Sequence, residues 1–259
     1  RVVIVAALPL VLVLLNARIL MNDWYLRWEY SRPNFPEDPY GFTQAERLQH
    51  GRRALAYLFN NEGIDYLGEQ TFLDGSPLYN ERELSHMVDV KAVTQQIQFF
   101  GYGLLLLYAV CVALLALSPP SRDALWSSLL SGSILTLALI VAGLVVVATS
   151  FNWLFTQFHA LFFEGDSWLF LTSDTLIRLF PIRFWTDAFA LLFGGALVEA
   201  LVIGVAVWVG GRRAEGENPP PISLAAPRPR AGRRLNSRPL SLSLLDAQHR
   251  AGRWERGKG

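Results

Sequence analysis

Four long apolar runs divide the chain: Val2 to Leu15 with its continuation to Met21, Phe99 to Leu117, Leu129 to Ala148, and Phe184 to Val209. Each comes close to the ~20 residues a helix needs to cross ~30 Å of hydrocarbon. A soluble core helix keeps a polar stripe, and these runs stay apolar all round. The pattern predicts four transmembrane helices over residues 1–21, 93–118, 129–148 and 184–210, with 119–128 as a short cytoplasmic loop. The first run follows Arg1 and has the apolar centre of a signal peptide, but no small-x-small cleavage pattern follows it, so an uncleaved anchor is expected.

Between the runs the patterning changes. Residues 22–92 open with NDWYLRWEY, whose tryptophans and tyrosines suit a membrane interface. The proline-rich RPNFPEDPYGF comes next and predicts extended or turning chain. Thr43 and Glu46 form a capping box, and Leu48, Leu55 and Leu58 behind it carry helical spacing. From Ile64 to Tyr79 short apolar pieces alternate with Gly and Asp-Gly-Ser-Pro, predicting one or two small β hairpins. Residues 149–183 hold nine aromatic side chains in 35, too many for a solvated loop, and are expected to lie in the headgroup layer. The fold class is therefore a mainly α membrane protein. It has four transmembrane helices, a small mixed α/β outer domain between helices 1 and 2, and an aromatic interfacial segment between helices 3 and 4.

Composition agrees, since 52% of the 259 residues are apolar. Charge adds the orientation. From Gly211 onward there are 11 basic residues against four acidic, net +7, whereas residues 22–96 hold seven basic against 12 acidic, net −5. The Lys/Arg bias places both ends in the cytoplasm and the two long connections outside. Residues 211–259, rich in Pro, Arg, Ser and Gly, read as a disordered basic tail able to touch anionic headgroups. The single cysteine, Cys111, falls within the second run, so no intrachain disulfide and no cysteine metal cluster can be built.

Of the four histidines, His50 and His249 read as surface residues. His86 precedes the second span and His159 follows the third, so the topology brings both to one side of the membrane. A helix starting near Ser85, its expected N-cap, puts Asp89 at i+3 from His86, where a carboxylate can fix the imidazole tautomer and leave the other nitrogen as a base. Lys91 is either a snorkelling anchor or a cation for a developing oxyanion. Gly165-Asp-Ser167 and the spacing of His159 to Glu164 each match fragments of lipid-enzyme motifs without the rest of the pattern. There is no GxSxG, HExxH or phosphate-binding glycine loop. Glu199 lies near the middle of the fourth span, roughly 18 Å below Asp187 by helical rise, and reads as a protonated or paired structural group.

SHMVDVK (Ser85 to Lys91), FHALFFEGDSW (Phe158 to Trp168) and YGFT-x-x-ER (Tyr40 to Arg47) together resemble the bacterial lipoprotein intramolecular transacylase family, Lit, over about residues 1 to 210. The resemblance implies a membrane acyltransferase without cofactor or metal. Its substrate would be a lipoprotein whose N-terminal cysteine carries a diacylglyceryl group, and the sn-2 acyl chain would move to the cysteine α-amine, giving the lyso form. It also implies that His86 and His159 are catalytic, with Asp89 and Lys91 as supporting or oxyanion candidates. The expected partners are diacylated lipoproteins and membrane lipids, not nucleic acid. The place is the bacterial cytoplasmic membrane, with the site on its outer face. Two other classes stay open: a phospholipid hydrolase or intermolecular acyltransferase using the same histidines, and a non-catalytic membrane scaffold or lipid-binding protein.

Overall fold

The computed structural model describes residues 1–217. The remainder of the basic tail, with His249, lies outside the described residues. Among the described residues eight α-helices follow one another: α1 (Val2–Leu20), α2 (Asp23–Tyr30), α3 (Gln44–Phe59), α4 (Asp65–Gly68), α5 (Glu81–Leu117), α6 (Arg122–Phe162), α7 (Thr175–Leu179) and α8 (Ile182–Glu217). A 3₁₀ turn, Pro119–Ser121, joins α5 to α6. Four of these helices, α1, α5, α6 and α8, are long and apolar enough to span a bilayer. They pack as a bundle in which α6 lies against α8 and α1, and α5 against α1.

The bundle core is built from Leu8, Leu12, Ile140, Ala196 and Ala200. Phe99, Leu106 and Leu114 of α5 and Val198 and Val202 of α8 are exposed, as lipid-facing positions must be when tails, not water, solvate them. Small residues let the backbones approach. A Cβ on Gly132 of α6 would lie 3.1 Å from Leu8 Cδ2 and 3.4 Å from the Val5 Cα, the close contact that holds helices together where no hydrophobic drive exists between them.

At 37 and 41 residues, α5 and α6 are longer than a bilayer requires. At 1.5 Å per residue they run to roughly 55–60 Å, so each projects well beyond the hydrocarbon. In α6 the projection is set off by a kink, because Ser150 leaves the helical region at φ −148°, ψ 42°. The aromatic stretch from Phe151 is thus a re-aimed helical continuation of the span. A cap formed by α2, α3, α4 and α7 packs on these projections. Ala54, Tyr57 and Leu58 of α3 meet Leu67, Leu78, Tyr79, Met87, Leu176 and Leu179 in one core, and Tyr25, Leu26 and Tyr30 of α2 meet Phe184 of α8 in another.

The cap corrects one expectation. No strand occurs among the described residues, and the hairpins expected over Ile64–Tyr79 reduce to an isolated bridge between Thr71 and Pro77. The turn itself forms: Gly75 has φ +84°, and Phe72 N–H donates to Ser76 O at 2.8 Å. The arms are too short to ladder, however, because Asp65–Gly68 winds into a helical turn and Leu67 and Leu78 are drawn into the α3 core. The outer unit is helical, not mixed α/β. The Thr43–Glu46 capping box, by contrast, closes both of its hydrogen bonds.

Candidate active site

The site forms where α5 and α6 emerge toward the cap. Asn80, rather than Ser85, starts α5: its side chain accepts Glu83 N–H while Glu83 accepts Asn80 N–H, a second capping box. Ser85 therefore sits in the second turn, exposed, and its expected capping role is corrected. The helix is thus capped five residues earlier than expected, and His86 within it is buried, 7% exposed.

Glu83 does more than cap. Its other oxygen accepts Leu176 N–H at 2.7 Å, at the first turn of α7. Thr175 Oγ1 donates to Leu78 O, Asn80 Nδ2 to Asp174 Oδ1 at 3.2 Å, and Arg82 Nη1 to Leu169 O at 3.1 Å. These bonds pin residues 169–176 onto the start of α5. Arg178 adds a buried ion pair with Asp38 at 2.9 Å and stacks on Phe42. The chain that follows α6 is thereby folded back over His86.

His159 arrives from the other side, on α6 beyond the Ser150 kink. Its Nδ1 lies 2.8 Å from Phe155 O. A carbonyl only accepts, so Nδ1 carries the proton and Nε2 presents its lone pair. The two imidazoles face each other with ring centroids 6.2 Å apart and planes at 21°. Phe163 and Phe170 flank His86 at 4.8 and 5.2 Å. Phe155 and Trp168 flank His159 at 4.1 and 4.8 Å. Gly165, at φ +61°, makes the turn that returns Trp168 and Phe170 to the histidines, a backbone conformation that glycine adopts without steric cost.

This wall of rings sets the electrostatics. Burial pushes the His86 imidazole down to about 4, and His159 beside it contributes to the lowering. Burial also holds His159 below the ordinary histidine range, against the opposing hydrogen bond to Phe155. Burial thus favours the neutral form of both rings, and charging one disfavours charging the other. Two buried nitrogens here have no hydrogen-bond partner, His86 Nδ1 and Trp168 Nε1.

The remaining sequence candidates lie apart from the imidazoles. Asp89 is exposed and makes no hydrogen bond to His86. Lys91 Nζ donates to Asn60 Oδ1 at 3.1 Å and to Glu62 O at 2.7 Å, over the Tyr57 ring; it ties α5 to the end of α3. Ser167 donates to Glu164 O at 3.1 Å within the turn at Gly165. Glu199 is paired, accepting from Asn16 Nδ2 at 2.8 Å. No cluster of three or more His, Cys, Asp or Glu able to hold a metal exists among the described residues. Glu83 and Trp168 are the site residues that sequence reasoning missed. An Asn-x-x-Glu box ahead of SHMVDVK was a readable signal for the first; nothing local marks the indole.

A four-span helical bundle with a buried histidine pair packed among aromatic rings at one end defines a multi-pass membrane protein. The chain belongs to the lipoprotein intramolecular transacylase (Lit) family, whose model matches residues 2–185. An uncharacterised protein of Aquifex aeolicus is 31% identical over 185 residues, 71% of this chain and 82% of that one. The fold is that of the membrane-integral lipoprotein intramolecular transacylase Lit from Bacillus cereus, with TM-score 0.69, 22% identity, and coverage of 82% of this chain and 95% of that one. A variant of that protein with one histidine replaced by alanine matches with TM-score 0.64 and 22% identity, over 82% and 93% of the two chains.

Proposed function

We propose that this chain transfers the sn-2 acyl group of a diacylglyceryl-cysteine lipoprotein to the α-amine of the same cysteine. In this reading the cap and the site face the outside of the cytoplasmic membrane, with both chain ends in the cytoplasm. The observation that carries it is the stacked pair, His86 and His159, kept neutral by burial with the His159 Nε2 lone pair free.

The reaction needs no activated serine or thiol. The amine nitrogen attacks the ester carbonyl carbon, forming the C–N bond and a tetrahedral oxyanion. Collapse breaks the bond to the glycerol oxygen, and one proton passes from nitrogen to that oxygen. Ester becomes amide, so the shift runs downhill without nucleotide energy. An α-amine with pKa near ~8 asks for only a modest base, which a neutral imidazole supplies. His159 Nε2 accepts the amine proton and hands it on to the departing glycerol oxygen, returning to the neutral form, while His86, stacked beside it and neutral throughout, orients the reacting ester. Only one of the two carries charge at a time, as their mutual disfavour requires. The aromatic wall of Phe155, Phe163 and Phe170 sheds water and receives acyl chain, holding amine and ester at attack distance, where effective-molarity gains arise.

The decisive experiment is mass spectrometry of a lipoprotein N-terminal peptide after expressing the chain in a host lacking lipoprotein N-acylation. Lyso-form peptide is the expected product. Diacyl peptide left unchanged, alongside fatty acid released from phospholipid in the purified system, would replace this reading with a lipid hydrolase.

A further inference from the structure

We propose that Trp168 supplies the hydrogen-bond donor for the oxyanion of this transfer, through its indole N–H; the inference rests on the acyl-transfer reading above. A tetrahedral intermediate concentrates negative charge on the former carbonyl oxygen, and a preorganised donor at that point gives a large part of the rate. Several cationic and hydroxyl donors of the surrounding chain are already spent, the buried Tyr79 hydroxyl being an unpaired exception. Lys91 is bound to the end of α3, Arg82 to Leu169 O, Arg178 to Asp38 and Ser167 to Glu164 O. His159 spends its Nδ1 proton on Phe155 O.

Trp168 Nε1 is different. It is buried and has no acceptor, although a buried indole N–H ordinarily finds one. Its ring lies 4.8 Å from the His159 ring, tilted by 32°. The indole is held there by the Gly165 turn and by the clamp of Arg82 on Leu169, the next residue. A donor left unpaired among aromatic rings costs stability, and the ring beside it is the one with a free basic nitrogen. The two features serve a single step, in which the imidazole takes the proton from nitrogen while the indole steadies the oxygen. The indole keeps its own proton throughout, so the balance of the transfer is unchanged.

The alternative is that Trp168 is only a wall for acyl chains. Replacing it with 3-benzothienylalanine separates the two, since sulfur stands where N–H was and the ring keeps its shape and area. The measurement is acyl transfer by the full chain in detergent or nanodiscs, on a synthetic diacylglyceryl-cysteine peptide. The expected result is kcat lowered on the order of 10²-fold with KM within about twofold of wild type. Trp168→Phe should lose at least as much kcat, with unchanged melting of the protein. Wild-type kcat in the benzothienyl protein, or a loss confined to KM, overturns the oxyanion role while leaving the histidine reading intact. A wild-type chain that makes no lyso product sinks both together.

Discussion

Two regions of this molecule place polar groups among apolar ones, and they treat them in opposite ways. Within the bundle, Asn16 of α1 spends its two amide protons on Leu12 O at 2.9 Å and Glu199 Oε2 at 2.8 Å. Gly195 faces it so closely that a Cβ there would fall 2.1 Å from Asn16 Oδ1. Under the cap, His86 Nδ1 and Trp168 Nε1 are buried and bonded to nothing. A polar group in an apolar setting costs free energy unless it is paired. The Asn16–Glu199 pair meets that rule and locks α1 to α8, whereas the two nitrogens under the cap do not.

The largest expected effect breaks the working side of the comparison. His86→Asn and His159→Asn should each accumulate, insert and melt like wild type, and each should lose acyl transfer by on the order of 10²-fold or more. The double variant should be little worse than either single one, because groups acting as a unit are strongly non-additive. Single-turnover rates on a diacyl peptide decide this. Two near-normal single variants would make the pair packing and nothing else.

The lock breaks next. Gly195→Ala forces Asn16 away from its position and with it the bond to Glu199, and overpacking of this kind costs about 1–3 kcal/mol. The melting temperature in detergent should fall while kcat of the surviving protein holds. A loss of kcat without any change in melting would show that the two regions are coupled. Glu83→Gln belongs between the regions. It turns an amide N–H₂ toward the backbone N–H of either Asn80 or Leu176, leaving a buried donor without its acceptor at about 1–3 kcal/mol. Earlier proteolysis between residues 163 and 180 is the expected readout, together with weaker transfer.

Much of the frame was legible in the sequence. The four spans follow from run length alone, because lipid demands that length. His86 and His159 were legible because span order puts them on one side. What failed was local pattern without a partner. Short apolar pieces around Asp74-Gly75 read as hairpin arms, yet their leucines belong to a helical core assembled from α3, α5 and α7. Ser85 looked like a cap because Asn80 and Glu83, the true box, precede the motif that drew attention. Lys91 looked available until α3 was seen to end beneath it. Glu83 meets Leu176 across 93 residues and Asn16 meets Glu199 across 183, separations at which one chain's spacing carries no signal.

Acidity sharpens the comparison on the site's side. Burial takes the His86 imidazole down to about 4, while an unfolded histidine titrates near ~6.5. Between those values the unfolded chain takes up a proton that the folded site refuses, so stability falls as pH drops from about 6.5 toward 4. Nitrogen NMR of histidine-labelled protein should show His86 still neutral at a pH of about 5.5, identified by its loss in His86→Asn. A midpoint at or above ~6.5 would place the ring in water and undo the argument from burial.

The smallest expected effects test the residues that sequence pattern favoured and geometry leaves aside. Asp89 is exposed and three residues from His86, but it makes no bond to the ring, so Asp89→Asn should keep kcat within about threefold. An orienting carboxylate would cost far more, because without it the imidazole would lose its tautomer; here the Phe155 carbonyl already holds the His159 proton, and His86 has no partner to lose. Ser85→Ala and Ser167→Ala should be as mild, the first hydroxyl being on an exposed turn and the second bonded to Glu164 O. Hydroxylamine treatment of protein quenched during turnover extends the test, since it releases acyl groups held as esters. Acyl hydroxamate recovered from wild-type protein but not from one of the serine variants would reveal an acyl-enzyme. Direct passage from glycerol oxygen to cysteine nitrogen would then give way to a two-step route, with the imidazole pair serving that serine instead of the amine.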